Sequence, residues 1–175
     1  MFGKCMARPI ALVTGGGRGI GAATSKRLAA DGYDILLTYN LSSKPAEMVV
    51  DEIRRTGADA LAVKVDCNDD GEVALLGIHP WMHRGIDALV LNHGRYERVA
   101  AEEMTIDDLR STMKTNFEGA VGVWKAVQPH LTDSARIVVV GSQLGTRGSP
   151  HGADYSASKA ALAMWARSLA QAVGP

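Results

Sequence analysis

A phenol and an ammonium group stand four residues apart in the segment Tyr155-Ser-Ala-Ser-Lys159. On a helix that spacing puts both on one face, and a positive charge one turn from a phenol favours the phenolate. Such a phenol can hand a proton to a carbonyl oxygen or take one from an alcohol. Ser142 lies thirteen residues upstream and offers a hydroxyl to the same oxygen. Near the other end of the chain runs Thr14-Gly15-Gly16-Gly17-Arg18-Gly19-Ile20-Gly21. The first glycine permits a tight turn, Gly19 lets backbone approach a pyrophosphate, and Gly21 lets the helix that Ile20 opens pack closely. The free amides of that helix terminus would face the phosphates. The spacing is G-x-x-x-G-x-G and not the general G-x-G-x-x-G fingerprint. A proton donor and a dinucleotide seat in one chain imply hydride transfer between a carbonyl and an alcohol.

These groups need a scaffold that brings residues 14–21 beside residues 142–159. Ile10-Ala-Leu-Val-Thr14 is a short apolar run ending at glycines, the pattern of a buried strand. A helix is expected from Ile20 to Ala30, closed by Asp31-Gly32, then a strand from Asp34 to Tyr39. A helix entered at Ser42-Ser43-Lys44-Pro45 should run from Ala46 to Thr56, followed by a strand over Ala60–Val65. Gly77 and Pro80 fall within residues 69–84, so a broken helix or irregular loop is expected there. Ile86–Leu91 reads as a strand. A Thr105-x-x-Asp108 capping pattern starts a long helix through Asn116 towards Val127, with Pro129 marking its end. Arg136–Val140 is a fifth strand, and a last helix should span Asp154 to Val173.

Strict alternation of strand and helix implies a parallel sheet covered on both faces. The expected architecture is α/β, a Rossmann-type doubly wound sheet in the order 3-2-1-4-5, with ligands at the carboxyl ends of the strands. Residues 1–8 read as a flexible leader and 9–175 as a single dinucleotide-binding domain.

Bulk properties exclude several other classes. Lys plus Arg equals Asp plus Glu at 19 each, which favours neither nucleic acid nor an acidic membrane surface. No apolar run approaches a transmembrane length, and no signal peptide is apparent at the start. Cys5 and Cys67 form neither a disulfide framework nor a metal-spaced cluster, which suits two reduced thiols in a cytoplasmic protein. His79, His83, His93, His130 and His151 lack ligand spacing, so no metal site is expected.

Cofactor choice turns on the end of the second strand. A carboxylate there would bind both ribose hydroxyls and repel a 2′-phosphate, yet the chain reads Thr38-Tyr39-Asn40. Arg18 in the glycine turn could reach that phosphate, or be a solvated loop charge. The balance favours NADP(H) over NAD(H). Asp66, after the third strand, could accept from an adenine amino group or simply cap a helix. Asn92 and Gly94 follow the fourth strand, where the chain would pass beside the adenosine.

The set TGGGRGIG, Asn92-His93-Gly94, Asn116, Ser142 and Tyr155-x-x-x-Lys159 resembles the short-chain dehydrogenase/reductase family in order and spacing, from about residue 8 onward. Within it, the glycine turn and Tyr39-Asn40 look most like the 3-oxoacyl-carrier-protein reductase type. The resemblance implies an oxidoreductase in which Tyr155 is the general acid and Lys159 assists it and binds the nicotinamide ribose. Ser142 would orient the substrate oxygen, and Asn116 would hold a water linking Lys159 to solvent. It also implies a small-molecule carbonyl or alcohol substrate and assembly as a homodimer or homotetramer through the helices at 105–127 and 154–173.

Two departures from the family stand out. His93 occupies a place usually held by alanine, where it could crowd the adenosine or merely alter the loop. Relatives also continue past the point where this chain reads Leu169-Ala-Gln-Ala-Val-Gly-Pro175, into a sixth strand, a substrate-covering segment and a seventh strand. The fold is therefore expected to be shortened at its C-terminus, with the fifth strand an apolar edge. The alternative to an active enzyme is a catalytically impaired nucleotide-binding or interaction module. Met164 and Trp165 are expected to serve packing or subunit contact.

Overall fold

The computed structural model describes residues 8–174 of the chain. Five parallel strands, β1 (Ile10–Val13), β2 (Asp34–Tyr39), β3 (Ala60–Lys64), β4 (Ile86–Leu91) and β5 (Leu131–Val139), form one sheet in the order β3-β2-β1-β4-β5. The expected doubly wound topology is thus the observed one. Arg8, at the edge of the expected leader, bonds Ala29 O and pairs with Asp34, and residues 1–7 lie outside the described residues.

Alternate side chains of β1 to β4 enter different cores, which is why these segments are apolar on both faces. Leu12, Leu36, Leu89 and Leu91 pack on one side with Val123 and Leu162. Ala11, Ile35 and Leu37 pack on the other with Val49 and Ile53. Helices α1 (Gly19–Ala30) and α2 (Ser43–Arg55) cover the second face. Helix α5 (Gly119–Val127) and the long α7 (Ala153–Val173) cover the first. Trp165 joins that core edge-to-face with Trp124, at 5.8 Å between centroids, whereas Met164 is exposed.

The interrupted crossover is as Gly77 and Pro80 suggested: α3 (Asp70–Gly77) stops and a 3-10 turn follows over Pro80–Arg84. Three details differ from the sequence reading. The long helix is not continuous: α4 (Ile106–Met113), with its Thr105–Asp108 capping box, passes through a π-turn at Lys114–Glu118 before α5. Strand β5 begins at Leu131, five residues early, because Leu131 pairs with Ile86 before a bulge brings Arg136 opposite Ala88. Its start, Thr132-Asp133-Ser134, is polar and escaped an apolar criterion. A short helix, α6 (Leu144–Arg147), stands where only a glycine-rich loop was expected. The π-turn carries Asn116, and α6 follows Ser142 directly.

Candidate active site

A cavity of about 660 Å³ opens at the carboxyl ends of the strands, a size suited to a bound cofactor. Gly15, Gly17, Arg18, Gly19, Ile20, Tyr39, Asn40, Asp66, Asn92 and Gly94, all cofactor candidates, line it. Thr14, Gly21, Tyr155 and Lys159, the remaining cofactor candidates, do not. Thr14 is fully buried beneath the wall, and a Cβ on Gly21 would collide with Gly15 O and Asn92 Nδ2. Gly19 is the converse case. It has φ +52°, and a Cβ there would meet no protein atom within 4 Å. The chain has left an open cradle above the amides that begin α1, a fit for an anionic diphosphate.

Asn92 serves mainly to weld this cradle to the sheet. Its Nδ2 donates to Thr14 O at 2.9 Å and Gly15 O at 3.2 Å, so the turn and the end of β4 move as one. Asp66 is not a helix cap: Asp69 caps α3, accepting from the Gly71 and Glu72 amides, while Asp66 accepts from Asn68 N beside the cavity. That leaves its adenine role open geometrically. Cys67, also in the lining, is pushed up to about 12 by burial, then by Asp66 and Glu72. It is held as a thiol at neutral pH. In a Cys5→Ser background, alkylation of Cys67 at pH 8 should be at least about a hundredfold slower than that of a free thiol. Mass spectrometry would measure it, and free-thiol rates would refute the assignment.

His93 lines the cavity and is bonded to the sheet through Thr14. Thr14 Oγ1 accepts from Asn92 N and His93 N, donates to Val90 O at 3.3 Å, and lies 2.8 Å from His93 Nδ1. Nε2 is inaccessible, with no hydrogen-bond partner among the described residues. Burial, with the Lys159 ammonium nearby, pushes the imidazole down to about 4, against a weak opposing pull from the Thr115 carbonyl. An unfolded histidine titrates near 6.5. Between these values the unfolded chain binds the extra proton, so stability is lost as pH falls through that window. His93 should account for about 2–3 kcal/mol of that acid loss. Urea titrations at pH 7 and pH 4.5 would show it, and His93→Ala should flatten the difference. An unchanged slope would refute it.

Two of the catalytic candidates, Asn116 and Lys159, lie against Gly94. A Cβ on this residue would lie 3.1 Å from Asn116 Oδ1 and 3.6 Å from Lys159 Nζ. Tyr155 and Lys159 occupy successive turns of α7, with Nζ 5.8 Å from the Tyr155 ring centroid. Lys159 is buried, its Nζ donates to Val140 O at 2.9 Å, and burial holds its pKa below the usual lysine range. Ser142 Oγ accepts from Leu144 N, at the start of α6, at 3.2 Å. Helix α6 in turn presses on α7: a Cβ on Gly145 would stand 2.9 Å from the Lys159 carbonyl carbon. Gly145 therefore sets the approach of the Ser142 loop to Lys159, a role its sequence context did not announce.

Asn116 is fully buried in the π-turn, a local rewinding often found at functional sites. Its Nδ2 donates to Arg95 O and to Ser158 Oγ, both at 3.0 Å, and its Oδ1 accepts from Arg95 N at 2.8 Å. Both amide hydrogens are thus spent on protein, and only Oδ1 retains a lone pair for anything else.

A family model described as short chain dehydrogenase matches residues 9–175. The chain belongs to this family. Among curated proteins, it is 36% identical over 173 residues to the hydroxynaphthalene reductase-like protein Arp2 of Metarhizium brunneum, an alignment covering 98% of this chain and 65% of that one. It is 34% identical to the versicolorin reductase of Emericella nidulans, over 92% of this chain and 62% of that protein. The chain thus spans less than two thirds of these relatives' lengths. Among solved structures, a short chain dehydrogenase from Burkholderia cenocepacia in complex with NADP superposes with a TM-score of 0.89 at 40% identity. That match covers 95% of this chain and 69% of the other. A blue fluorescent protein from a metagenomic library, in complex with NADPH, gives a TM-score of 0.88 at 37% identity with the same coverage. Among the described residues, no helix is long and apolar enough to cross a membrane.

Proposed function

We propose that residues 9–175 form a single dinucleotide-binding domain of an oxidoreductase that interconverts a carbonyl and an alcohol using NADP(H). One observation supports this reading: Gly94, in the cavity lining, lies against Asn116 and Lys159, two of the four catalytic candidates. The glycine turn and α1 terminus would hold the diphosphate, and Tyr39, Asn40 and Asp66 the adenosine end. When bound, the nicotinamide supplies or accepts a hydride. Tyr155 gives the carbonyl oxygen its proton, and the Lys159 ammonium stabilises the resulting phenolate. Ser142 donates to the same oxygen as charge develops on it. Asn116 holds Ser158 and the loop after β4 in place and offers Oδ1 to a water that returns the proton.

Preference for the phosphorylated cofactor is supported by the lack of a carboxylate at Thr38-Tyr39-Asn40 and by Arg18, exposed at the cavity and in no ion pair among the described residues. The NADP and NADPH bound to the two similar structures point the same way. A silent interaction module is not favoured, because the similar curated proteins are named reductases. Assembly as a homodimer or homotetramer through α4, α5 and α7, and a cytoplasmic location, complete the proposal. Exposed Ile106 and Met164 on those helices support the first.

Titration with NADPH and NADH, followed by nicotinamide fluorescence, tests the cofactor site. NADPH should bind at least about tenfold more tightly, since one guanidinium–phosphate contact is worth about 1.5–3 kcal/mol. Absence of saturable binding by the folded protein would overturn the proposal. Consumption of NADPH with a panel of ketones and quinones then tests the chemistry.

A further inference from the structure

One aromatic contact at the site has no part in the mechanism above. The ring of Tyr96, on the loop after β4, meets the Tyr155 ring edge-to-face, with centroids 4.9 Å apart and planes at 66°. Aromatic pairs at this separation and tilt are mutually attractive and fix each other's orientation. The Tyr96 hydroxyl donates to His151 O at 2.7 Å, four residues before Tyr155. Gly152 shows how close the approach is. It has φ +136°, and a Cβ there would lie 2.7 Å from Tyr96 Cε2. A side chain at 152 and a ring at 96 exclude each other.

The backbone around Tyr96 is held from both sides. Asn116 takes both the N–H and the C=O of Arg95, the preceding residue. Ala101 N donates to Pro150 O at 3.0 Å, and Ala100 forms an antiparallel bridge with His151. Asn116 also donates to Ser158 Oγ, and Ser158 donates to the Tyr155 carbonyl at 2.8 Å. The contacts close a circuit: Asn116 to Arg95, Tyr96 to the Tyr155 ring, Tyr155 O to Ser158, and Ser158 back to Asn116.

The geometry points to Tyr96 as a positioning residue for the general acid: its ring sets the orientation of the Tyr155 phenol. This assignment rests on the carbonyl-reductase reading. Tyr96 does not line the cavity, so its role is separable from cofactor binding.

Tyr96→Leu removes the edge-to-face contact at similar bulk, and Tyr96→Phe keeps it. With a ketone that the parent reduces, Tyr96→Leu should lower kcat about tenfold to a hundredfold, the scale of a misplacement of about 1 Å. NADPH affinity should stay within about twofold, and Tyr96→Phe should stay within about threefold of the parent in kcat. In a Tyr155→Phe background, Tyr96→Leu should have no further effect on the residual rate, because it acts through a group already gone. A second readout does not need turnover. In protein carrying tyrosine labelled with carbon-13 at the ring Cζ, the Tyr155 resonance, assigned by its loss in Tyr155→Phe, should move in Tyr96→Leu, while those of Tyr33 and Tyr39 stay.

The inference is overturned if the Leu variant keeps kcat within threefold, if Phe is damaged as much as Leu, or if the loss recurs in the Tyr155→Phe background. A stationary Tyr155 resonance overturns it equally. A parent that binds NADPH but reduces no ketone would sink the reductase reading alone, and the resonance would still decide the contact.

Discussion

Tyr155→Phe is expected to lower kcat for ketone reduction about 10²–10⁴-fold, the usual worth of a positioned general acid, with NADPH affinity unchanged within about twofold. The structure makes this a clean deletion. Among the described residues the Tyr155 hydroxyl has no protein partner, and it is not among the buried unpartnered atoms. The ring contacts with Tyr96 and Lys159 survive in phenylalanine. Removing the oxygen therefore removes the proton and little else, and thermal stability should stay close to the parent's. Ser142 would still donate to the carbonyl oxygen, leaving a residual rate from orientation and partial charge stabilisation. The measurement is steady-state NADPH oxidation beside a fluorescence titration. A kcat within tenfold of the parent would mean that the proton comes from elsewhere. A parallel collapse of NADPH binding would mean that Tyr155 holds the cofactor more than it serves the chemistry.

The same residues show how far a single sequence reaches. Strands β1 to β4 could be placed nearly to the residue, because each is a short apolar run bounded by glycines, Asp-Gly or Pro, and parallel strands bury both faces. The Thr105–Asp108 box and the break at Pro80 are local chemistry, so local reading found them. What escaped is long-range or a matter of phase. A π-turn inserts a residue into a helix without altering the apolar spacing on either side, so Lys114–Glu118 read as ordinary helix although it carries Asn116. Asn92 could be noted, but its partners Thr14 and Gly15 are nearly eighty residues away. Gly145 and Tyr96 carried no motif. Their importance is a distance to Lys159 and Tyr155, visible only once α6 and the loop after β4 are folded onto α7. His93 was visible as an anomaly, and its hydrogen bond to Thr14 shows how the fold accommodates it.

Gly19→Asp is expected to abolish NADPH binding, by at least about a hundredfold in affinity, with the fold intact. Two features of Gly19 set the direction. Its φ of +52° is left-handed, a region that aspartate visits more readily than most side chains, at a cost of about 1–2 kcal/mol. The space above it holds no protein atom within 4 Å, so the new side chain clashes with nothing in the free protein. Placed in the first turn of α1, where no acidic residue now stands, a carboxylate also complements the helix dipole and recovers part of that cost. The fold thus tolerates the change for the same reason that the ligand does not. The carboxylate takes the amides that a diphosphate needs and adds like charge in the cradle. Gly19→Ala separates the two terms, since it carries the strain and part of the bulk without the charge, and should weaken binding less. Circular dichroism with NADPH fluorescence titration reads all three proteins. Retention of affinity within threefold in Gly19→Asp would place the diphosphate elsewhere. Loss of folding in Gly19→Asp with Gly19→Ala unaffected would show that the open space above Gly19 is not free in solution.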